Sequence, residues 1–198
     1  MISSSPATDA LWLEMFQRVC GKTAHELKGV LNGVSLNLEV VRSRSQKVEA
    51  QASAVAKFAE SASTQFDAVM DMTEALLALS RGVEGAVDLA ATLRWLVALL
   101  APVAKVEGHE LRIDGPLGSL GAALVDAGAA RAAIAAALLG GIASSSEVIC
   151  RANGEAIDIV SGSGEQLVGP GDDVIAAVRE VGIEFHAEPS AISITFPR

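Results

Sequence analysis

The sequence has few cysteines and no long apolar run, and each shortage excludes a class of protein. Its two cysteines, Cys20 and Cys150, are far apart in the chain, unlike the disulfide framework of a small secreted domain. The longest apolar run, residues 95–104, is shorter than the roughly 18 residues that a membrane-spanning helix needs. The amino end also lacks the basic and apolar regions of a signal peptide. We therefore expect a protein of the reducing cytoplasm.

Cations are also scarce, and they are unevenly placed. The chain has 15 lysines and arginines against 24 aspartates and glutamates, a formal charge of −9. Residues 1–81 carry −1 (8 against 9) and residues 82–198 carry −8 (7 against 15). An acidic chain without a basic stripe argues against nucleic acid as a partner. One cation cluster either attracts an acidic protein surface or is an ordinary solvated helix face; its members are Lys22, Lys28, Arg42, Arg44 and Lys47.

The first half of the chain predicts two long helices. Apolar residues recur every three or four positions from Leu11 to about Val41 and again from Val55 to Ser80. The polar residues 42–51 between them predict a turn. A single helical hairpin cannot bury the apolar seam that this pattern creates. We therefore expect a homodimer, in which two hairpins form a four-helix bundle.

The second half predicts helices that cover a small mixed sheet. Asp88 and Asp126 are suited to cap two helices, and Asn153-Gly154 predicts a β-hairpin. A short helix is expected to begin at Asp172 or Asp173. Further strands are expected at residues 109–113, 183–187 and 191–196. The predicted fold class is therefore α + α/β, an antiparallel helical hairpin followed by an α/β sandwich.

The most informative motif surrounds His25. Residues three, four and seven positions apart share one face of a helix, so His25, Lys28, Gly29 and Asn32 form a single stripe. The apolar residues nearby lie on a different face; they are Leu27, Leu31, Val34, Leu38 and Val41. The imidazole is therefore predicted to stand in solvent, with an ammonium group beside it and no bulky side chain one turn away. This arrangement suits a histidine that accepts a phosphoryl group from another protein.

The motif resembles part of a bacterial sensor histidine kinase. Residues 25–28 and 31–32 resemble the H-box of the dimerisation and histidine-phosphotransfer (DHp) domain. That box usually has proline where this chain has Val30. Residues 76–81 resemble the end of the second DHp helix. The resemblance implies a DHp-like hairpin at residues 1–82, which would dimerise and carry the phosphoacceptor.

The second half resembles the ATP-binding domain of the same kinases, with its nucleotide-binding residues missing. Residues 87–89 and 192–198 resemble the first and last segments of that domain, which implies a degenerate ATPase-like α/β domain at residues 83–198. The helix at residues 131–141 lacks the asparagines with which the family binds magnesium, an ion that needs oxygen ligands. Val160 stands where the family has an adenine-binding aspartate. We therefore expect no ATP, no cofactor and no metal site in this chain.

A phosphoacceptor beside a degenerate nucleotide site is similar to the dimeric histidine phosphotransferases of bacterial phosphorelays, of the ChpT type. These proteins pass phosphoryl groups between the receiver domains of response regulators, and the receiver supplies the Mg²⁺. The resemblance implies that His25 is the nucleophile, that Glu26 fixes its tautomer and that Lys28 offsets phosphoryl charge. It also implies partner-binding residues, which are Gly29, Asn32 and Lys22. A hybrid histidine kinase is a possible further partner.

Three other interpretations stay open. The same motif is the signature of monomeric HPt phosphotransfer domains, but that resemblance covers only the first helix. The chain could also be a pseudokinase adaptor that binds receivers or kinases and never carries phosphate. The third interpretation is an active kinase with an unusual ATP site.

Overall fold

A computed structural model describes residues 6–45, 52–82 and 85–197. These residues form a mixed fold of five helices and two sheets, and 61% of them are helical. In chain order the elements are α1 (Pro6–Ser45), α2 (Ala52–Ser80), β1 (Val87–Asp88), α3 (Leu89–Val106), β2 (Glu110–Ile113), β3 (Ala122–Ala123), α4 (Ala127–Ser144), β4 (Glu147–Asn153), β5 (Ala156–Ser161), α5 (Asp172–Arg179), β6 (Glu184–Glu188) and β7 (Ala191–Thr195). Most of the predicted turn, with Lys47, lies outside the described residues.

The two long helices of the predicted hairpin are confirmed. Helix α1 begins at Pro6, where proline is tolerated because the first helical N–H has no partner within the helix. At 40 residues it is about 60 Å long, and it runs four residues beyond the predicted end. Helix α2 packs against α1, and Asn37 donates hydrogen bonds to the Ser61 hydroxyl (3.2 Å) and the Gln65 side-chain oxygen (2.9 Å).

Both predicted helix caps in the second half are confirmed. Asp88 accepts a hydrogen bond from the Ala91 amide at 2.8 Å, and α3 follows directly. Asp126 accepts one from the Ala129 amide at 2.7 Å, and α4 follows directly. An aspartate cap satisfies an amide that the helix leaves unpaired, and it contributes about 1 kcal/mol.

The larger sheet is mixed, as the sequence predicts, and its strand order is β2-β4-β5-β7-β6. Strand β2 is parallel to β4, and the other neighbours are antiparallel. The hairpin turn lies one residue later than predicted. Asn153 pairs with Ala156, so the two turn residues are Gly154 and Glu155, and Gly154 supplies the required positive φ of +61°.

Helix α4 is the centre of the second half, because it lies between the sheet and α1. Thirteen of its 18 residues are buried. Its alanines and glycines allow close approach: a Cβ atom at Gly128 would lie 3.2 Å from the Thr8 carbonyl oxygen and 3.4 Å from the Trp12 Cβ atom. Helix α1 therefore extends past the hairpin and packs on the second half of the chain.

Two helices are longer than the apolar run at residues 95–104, and both are mainly apolar. Leu89–Val106 and Ala127–Ser144 are each 18 residues long, with mean hydropathies of 1.6 and 1.5, so their length and composition would allow them to cross a membrane. Half of the first helix and 72% of the second are buried inside the fold. This burial is compatible with a soluble protein.

Candidate functional site

His25 lies on α1 and its side chain is exposed, as the helical pattern predicts. Lys28, Gly29 and Asn32 are exposed on the same face. Among the described residues, none forms a hydrogen bond or ion pair with the imidazole. The four residues that the sequence grouped into one stripe are therefore together in the fold, around a histidine whose ring is accessible.

The orientation of His25 follows from what the opposite face of α1 buries. Thr23 is fully buried, and its hydroxyl donates to the Leu99 carbonyl oxygen at 3.3 Å. Val19 and Val34 are also buried on that side. Each helical residue turns the chain by 100°, so His25 lies about 200° around the helix from Thr23. Packing of α1 against α2 and α3 thus leaves the imidazole on the outside.

Glycines flank His25 one turn before and one turn after. Among the described residues, a Cβ atom at Gly21 or Gly29 would meet nothing within 4 Å. Glycine inside a helix costs about 1 kcal/mol relative to alanine, and no close packing in this part of the structure requires it at either position. Gly29 was predicted as part of the site and Gly21 was not, although its spacing of four residues from His25 is visible in the sequence.

An apolar side chain continues the same face toward the carboxyl end of α1. Leu36 lies eleven residues after His25, at the spacing of three helical turns, and it is 67% exposed. Leu36 was not predicted as a site residue, because it lies outside the motif around His25. An exposed leucine on the face of an accessible histidine offers a partner protein apolar contact area.

Glu26 and Lys22 point toward the second half of the chain. Glu26 is half-buried and forms no hydrogen bond with His25 in this part of the structure, because adjacent helical residues do not face each other. The Lys22 ammonium forms an ion pair with Glu107 at 3.0 Å. Both side chains are more than 40% exposed, so the pair contributes at most about 1 kcal/mol and a partner could displace it.

A groove of about 970 Å³ lies between the hairpin and the second half of the chain. Glu26 and Val30 line it from α1, Met72 from α2, and His109 and Glu147 from the opposite wall. No local sequence pattern predicts this groove, since its walls come from segments that are distant in the chain. It begins one residue from His25.

The segment that follows β5 packs closely on α4. The Val168 carbonyl lies directly against Gly140 of α4, and the Val168 amide donates to the Ser144 hydroxyl at 2.9 Å. Val160 alternates with the buried Ile159, so it projects from the sheet face away from the helices. Among the described residues, no group of three or more histidine, cysteine or acidic side chains could hold a metal ion.

Glu165 fixes the loop that follows β5. Its carboxylate accepts hydrogen bonds from the Ser146 amide at 2.6 Å and from the Ser163 hydroxyl at 2.7 Å. The Ser146 amide, followed by Ser163, lowers the pKa of Glu165 to about 2. Ser161 joins this network, because its hydroxyl accepts from the Glu165 amide and bonds to the Ser145 hydroxyl. The loop is therefore held in place by polar contacts.

Comparison with known proteins does not assign the chain to a family. No protein-family model matches the chain, and no curated protein matches it significantly.

Proposed function

We propose that this chain is a cytoplasmic histidine phosphotransferase that relays phosphoryl groups between response-regulator receiver domains and does not phosphorylate itself from ATP. The observation that carries the proposal is the exposed His25, with Lys28 beside it and unoccupied space at Gly21 and Gly29. A histidine that must meet the acidic pocket of another protein needs this access.

The chemistry requires two transfers through one ring nitrogen. The neutral imidazole of His25 attacks the phosphorus of an aspartyl phosphate, forming an N–P bond while the P–O bond to the aspartate breaks. The aspartate leaves as a carboxylate, and the phosphoryl group later passes to the aspartate of a second receiver by the reverse exchange. The Lys28 ammonium offsets negative charge on the phosphoryl oxygens. Mg²⁺ belongs to the receiver in this mechanism.

Glu26 and Asn32 have supporting roles in the proposal. Glu26 must rotate away from the groove to accept a hydrogen bond from the far nitrogen of His25 and fix its tautomer. Asn32 lies two turns along the same face and is exposed, so its amide can bond to a docked receiver. Lys22 can contribute when its ion pair with Glu107 opens.

A four-helix bundle made by two hairpins is part of the proposal. The hairpin exposes large apolar side chains at helical spacing, and water contact makes this costly unless a second copy covers them. Leu31 and Leu38 are seven residues apart on α1, 43% and 53% exposed. Phe66, Met70 and Leu77 follow at spacings of four and seven on α2, each 51–53% exposed.

The second half of the chain is proposed to be an ATPase-like domain that has lost nucleotide binding. Support comes from the sequence of residues 131–141, which has no asparagine to bind magnesium, and from Val160 at the position of the family's adenine-binding aspartate. Asp158, two residues before Val160 and on the same sheet face, is already engaged by residues of β4. It lies on the outer sheet face, where the Asn153 amide donates to it at 3.0 Å.

The alternative function is a pseudokinase adaptor. The groove beside Glu26 supports it as well as it supports the phosphotransferase. A surface of that size can bind a receiver whether or not phosphate moves. The two functions differ only in the fate of His25. Under the adaptor function, His25→Ala retains every property of the wild type.

The deciding experiment is phosphotransfer from a panel of labelled receiver domains. Wild-type protein should take up phosphate from at least one receiver, and His25→Ala should take up none. His186→Ala is the matched control, because His186 is an exposed histidine on β6, far from α1 in the chain. Equal labelling of wild type and His25→Ala, or no labelling by any receiver, contradicts the proposal. Labelling by ATP and Mg²⁺ alone would indicate an active kinase.

A further inference from the structure

The carboxyl end of α2 is capped by an arginine from a distant part of the chain. Arg131 of α4 is 4% exposed. Its Nη1 atom donates to the carbonyl oxygens of Leu79 (3.1 Å) and Arg81 (2.8 Å), and its Nη2 atom lies 3.5 Å from that of Ala78. The last carbonyls of a helix have no partner within it and carry partial negative charge. The guanidinium of Arg131 donates hydrogen bonds to these carbonyls, and its positive charge offsets their partial negative charge.

The same guanidinium also contacts α1. Its central carbon lies 5.8 Å from the centre of the Trp12 ring, and that ring lies 5.2 Å from the ring of Phe16. An arginine in this position gains from the negative face of the aromatic ring. Arg131 therefore joins α4, α2 and the amino-terminal part of α1 at one point.

Arg131 has no acidic partner among the described residues. Burial lowers its pKa, but a guanidinium stays charged in a protein. The positive charge of the buried guanidinium is balanced by three carbonyl oxygens and the Trp12 ring, all of which belong to the hairpin. A movement of the second half away from the hairpin would break every one of these contacts.

Two further contacts connect the hairpin to the second half at the level of His25. The Thr23 hydroxyl donates to Leu99 of α3, and Lys22 pairs with Glu107 at the end of α3. Gly128 brings α4 within contact distance of α1 at Thr8 and Trp12. The second half is thus attached along about four turns of α1 rather than through one linker.

We propose that Arg131 is a positioning residue that holds the second half of the chain in one fixed orientation on α1, so that phosphoryl transfer through His25 requires no domain movement. The statement about phosphoryl transfer rests on the proposed function. The fixed orientation of the second half does not depend on that function and can be tested separately. The groove beside Glu26 is then a preformed surface that a receiver meets without rearrangement.

The fixed orientation is tested by the distance between two spin labels. Labels at Glu60→Cys on α2 and Glu180→Cys after α5 span the two halves at exposed positions, in a Cys20→Ser background that leaves only the buried Cys150. Dilution with unlabelled protein restricts the measurement to one labelled chain per oligomer. A single narrow distance distribution is expected. A broad distribution in the otherwise unaltered protein would overturn the proposal.

Substitution of Arg131 tests its part in this arrangement. Arg131→Met should broaden the distribution and raise the KM for a phosphorylated receiver several-fold, with little change in kcat, because His25 itself is untouched. Arg131→Lys keeps a cation and should recover part of both effects. Arg179→Met, which removes an exposed cation from α5, is the control and should change neither. An unchanged distribution in a folded Arg131→Met protein contradicts the assignment.

A disulfide tests whether transfer needs movement, even if Arg131→Met fails to fold. The Cβ positions of Trp12 and Gly128 are 3.4 Å apart, close to the roughly 3.5–4.5 Å of a disulfide. Trp12→Cys with Gly128→Cys, again with Cys20→Ser, should transfer phosphate as fast when oxidised as when reduced, a comparison in which both forms lack the Trp12 ring. A large loss of rate on oxidation, reversed by reductant, would overturn the proposal. If no receiver labels His25 in any form, the proposed function fails, whereas the label distances still decide the orientation.

Discussion

Thr23 and His25 lie on opposite faces of α1, two residues apart. Thr23 is fully buried against α3, where its hydroxyl donates to Leu99, and His25 is exposed. The buried contact fixes the rotation of α1 about its own axis at this level. The accessibility of the imidazole is therefore set by packing on the far side of the helix, and it can be tested there.

Thr23→Val should lower stability without affecting phosphate uptake. Valine keeps the shape of threonine but removes the hydrogen bond to Leu99, which contributes about 0.5–1.5 kcal/mol to the free energy of unfolding. Urea titration measures this loss, and receiver-dependent labelling of His25 measures uptake. Ser45→Ala at the end of α1 is a control: among the described residues its hydroxyl bonds only to Arg42 of its own helix, at an exposed position. A loss of labelling in folded Thr23→Val would mean that Thr23 acts on His25 more directly.

Gly29→Ala should separate stability from function. The added methyl group meets none of the described residues within 4 Å, and alanine is the better helix former, so the free energy of unfolding should rise by about 1 kcal/mol. The same methyl group stands one turn from His25, where a receiver must approach, so the rate of phosphoryl transfer should fall. Ser43→Ala, exposed and five turns from His25, is the control and should leave the rate unchanged. An unaltered rate in Gly29→Ala would show that the receiver does not approach from this side.

The apolar side chains on the hairpin predict the oligomeric state. Light scattering should give twice the chain mass of 20.3 kDa. Phe66→Glu with Leu38→Glu places charge in the proposed seam and should give a monomer. Leu36→Glu is the matched control, because Leu36 is exposed on the face of His25 and not in the seam. It should stay dimeric while receiver labelling weakens. A wild-type monomer would favour the HPt interpretation.

The sequence predicted the features that depend on neighbouring residues. The caps at Asp88 and Asp126 follow from a local rule, and the exposed stripe of His25 follows from helical spacing alone. The turn after β4 was misplaced by one residue, because the pairing of Asn153 with Ala156 sets it and Asn-Gly only suggests it. Strands β1 and β3 were missed, since two residues have no periodicity to detect.

Features that depend on the packing of distant segments could not be predicted. Arg131 belongs to a helix that the sequence analysis examined only for its missing asparagines, and its carbonyl partners lie about 50 residues earlier. The groove beside Glu26 has the same origin, because its walls come from separate segments. Val34 is buried whereas Leu31 and Leu38 are exposed, although all three belong to one apolar pattern. The apolar pattern alone does not tell which side chains pack within the chain and which stay exposed.

Glu165 predicts how the loop after β5 responds to acid. The pKa of Glu165 is lowered from its ordinary value of 4.5 to about 2, so the carboxylate form stabilises the fold above pH 4.5. That contribution is lost as the pH falls from 4.5 through about 2, because the unfolded chain takes up the proton first. Glu165→Gln should therefore unfold at lower urea concentration than wild type at pH 7, and the difference should shrink at acid pH.

The matched control for this titration is Glu180→Gln, which removes an exposed carboxylate for which the structure shows no side-chain hydrogen bond among the described residues. Its difference from wild type should be small at both pH values. Urea unfolding at pH 7 and at about pH 3 measures all three proteins. A gap between wild type and Glu165→Gln that stays constant or widens on acidification would mean that the Ser146 and Ser163 contacts do not depend on the charge of Glu165. No gap at pH 7 would mean that backbone packing, such as the contact of Val168 with Gly140, holds the loop without Glu165.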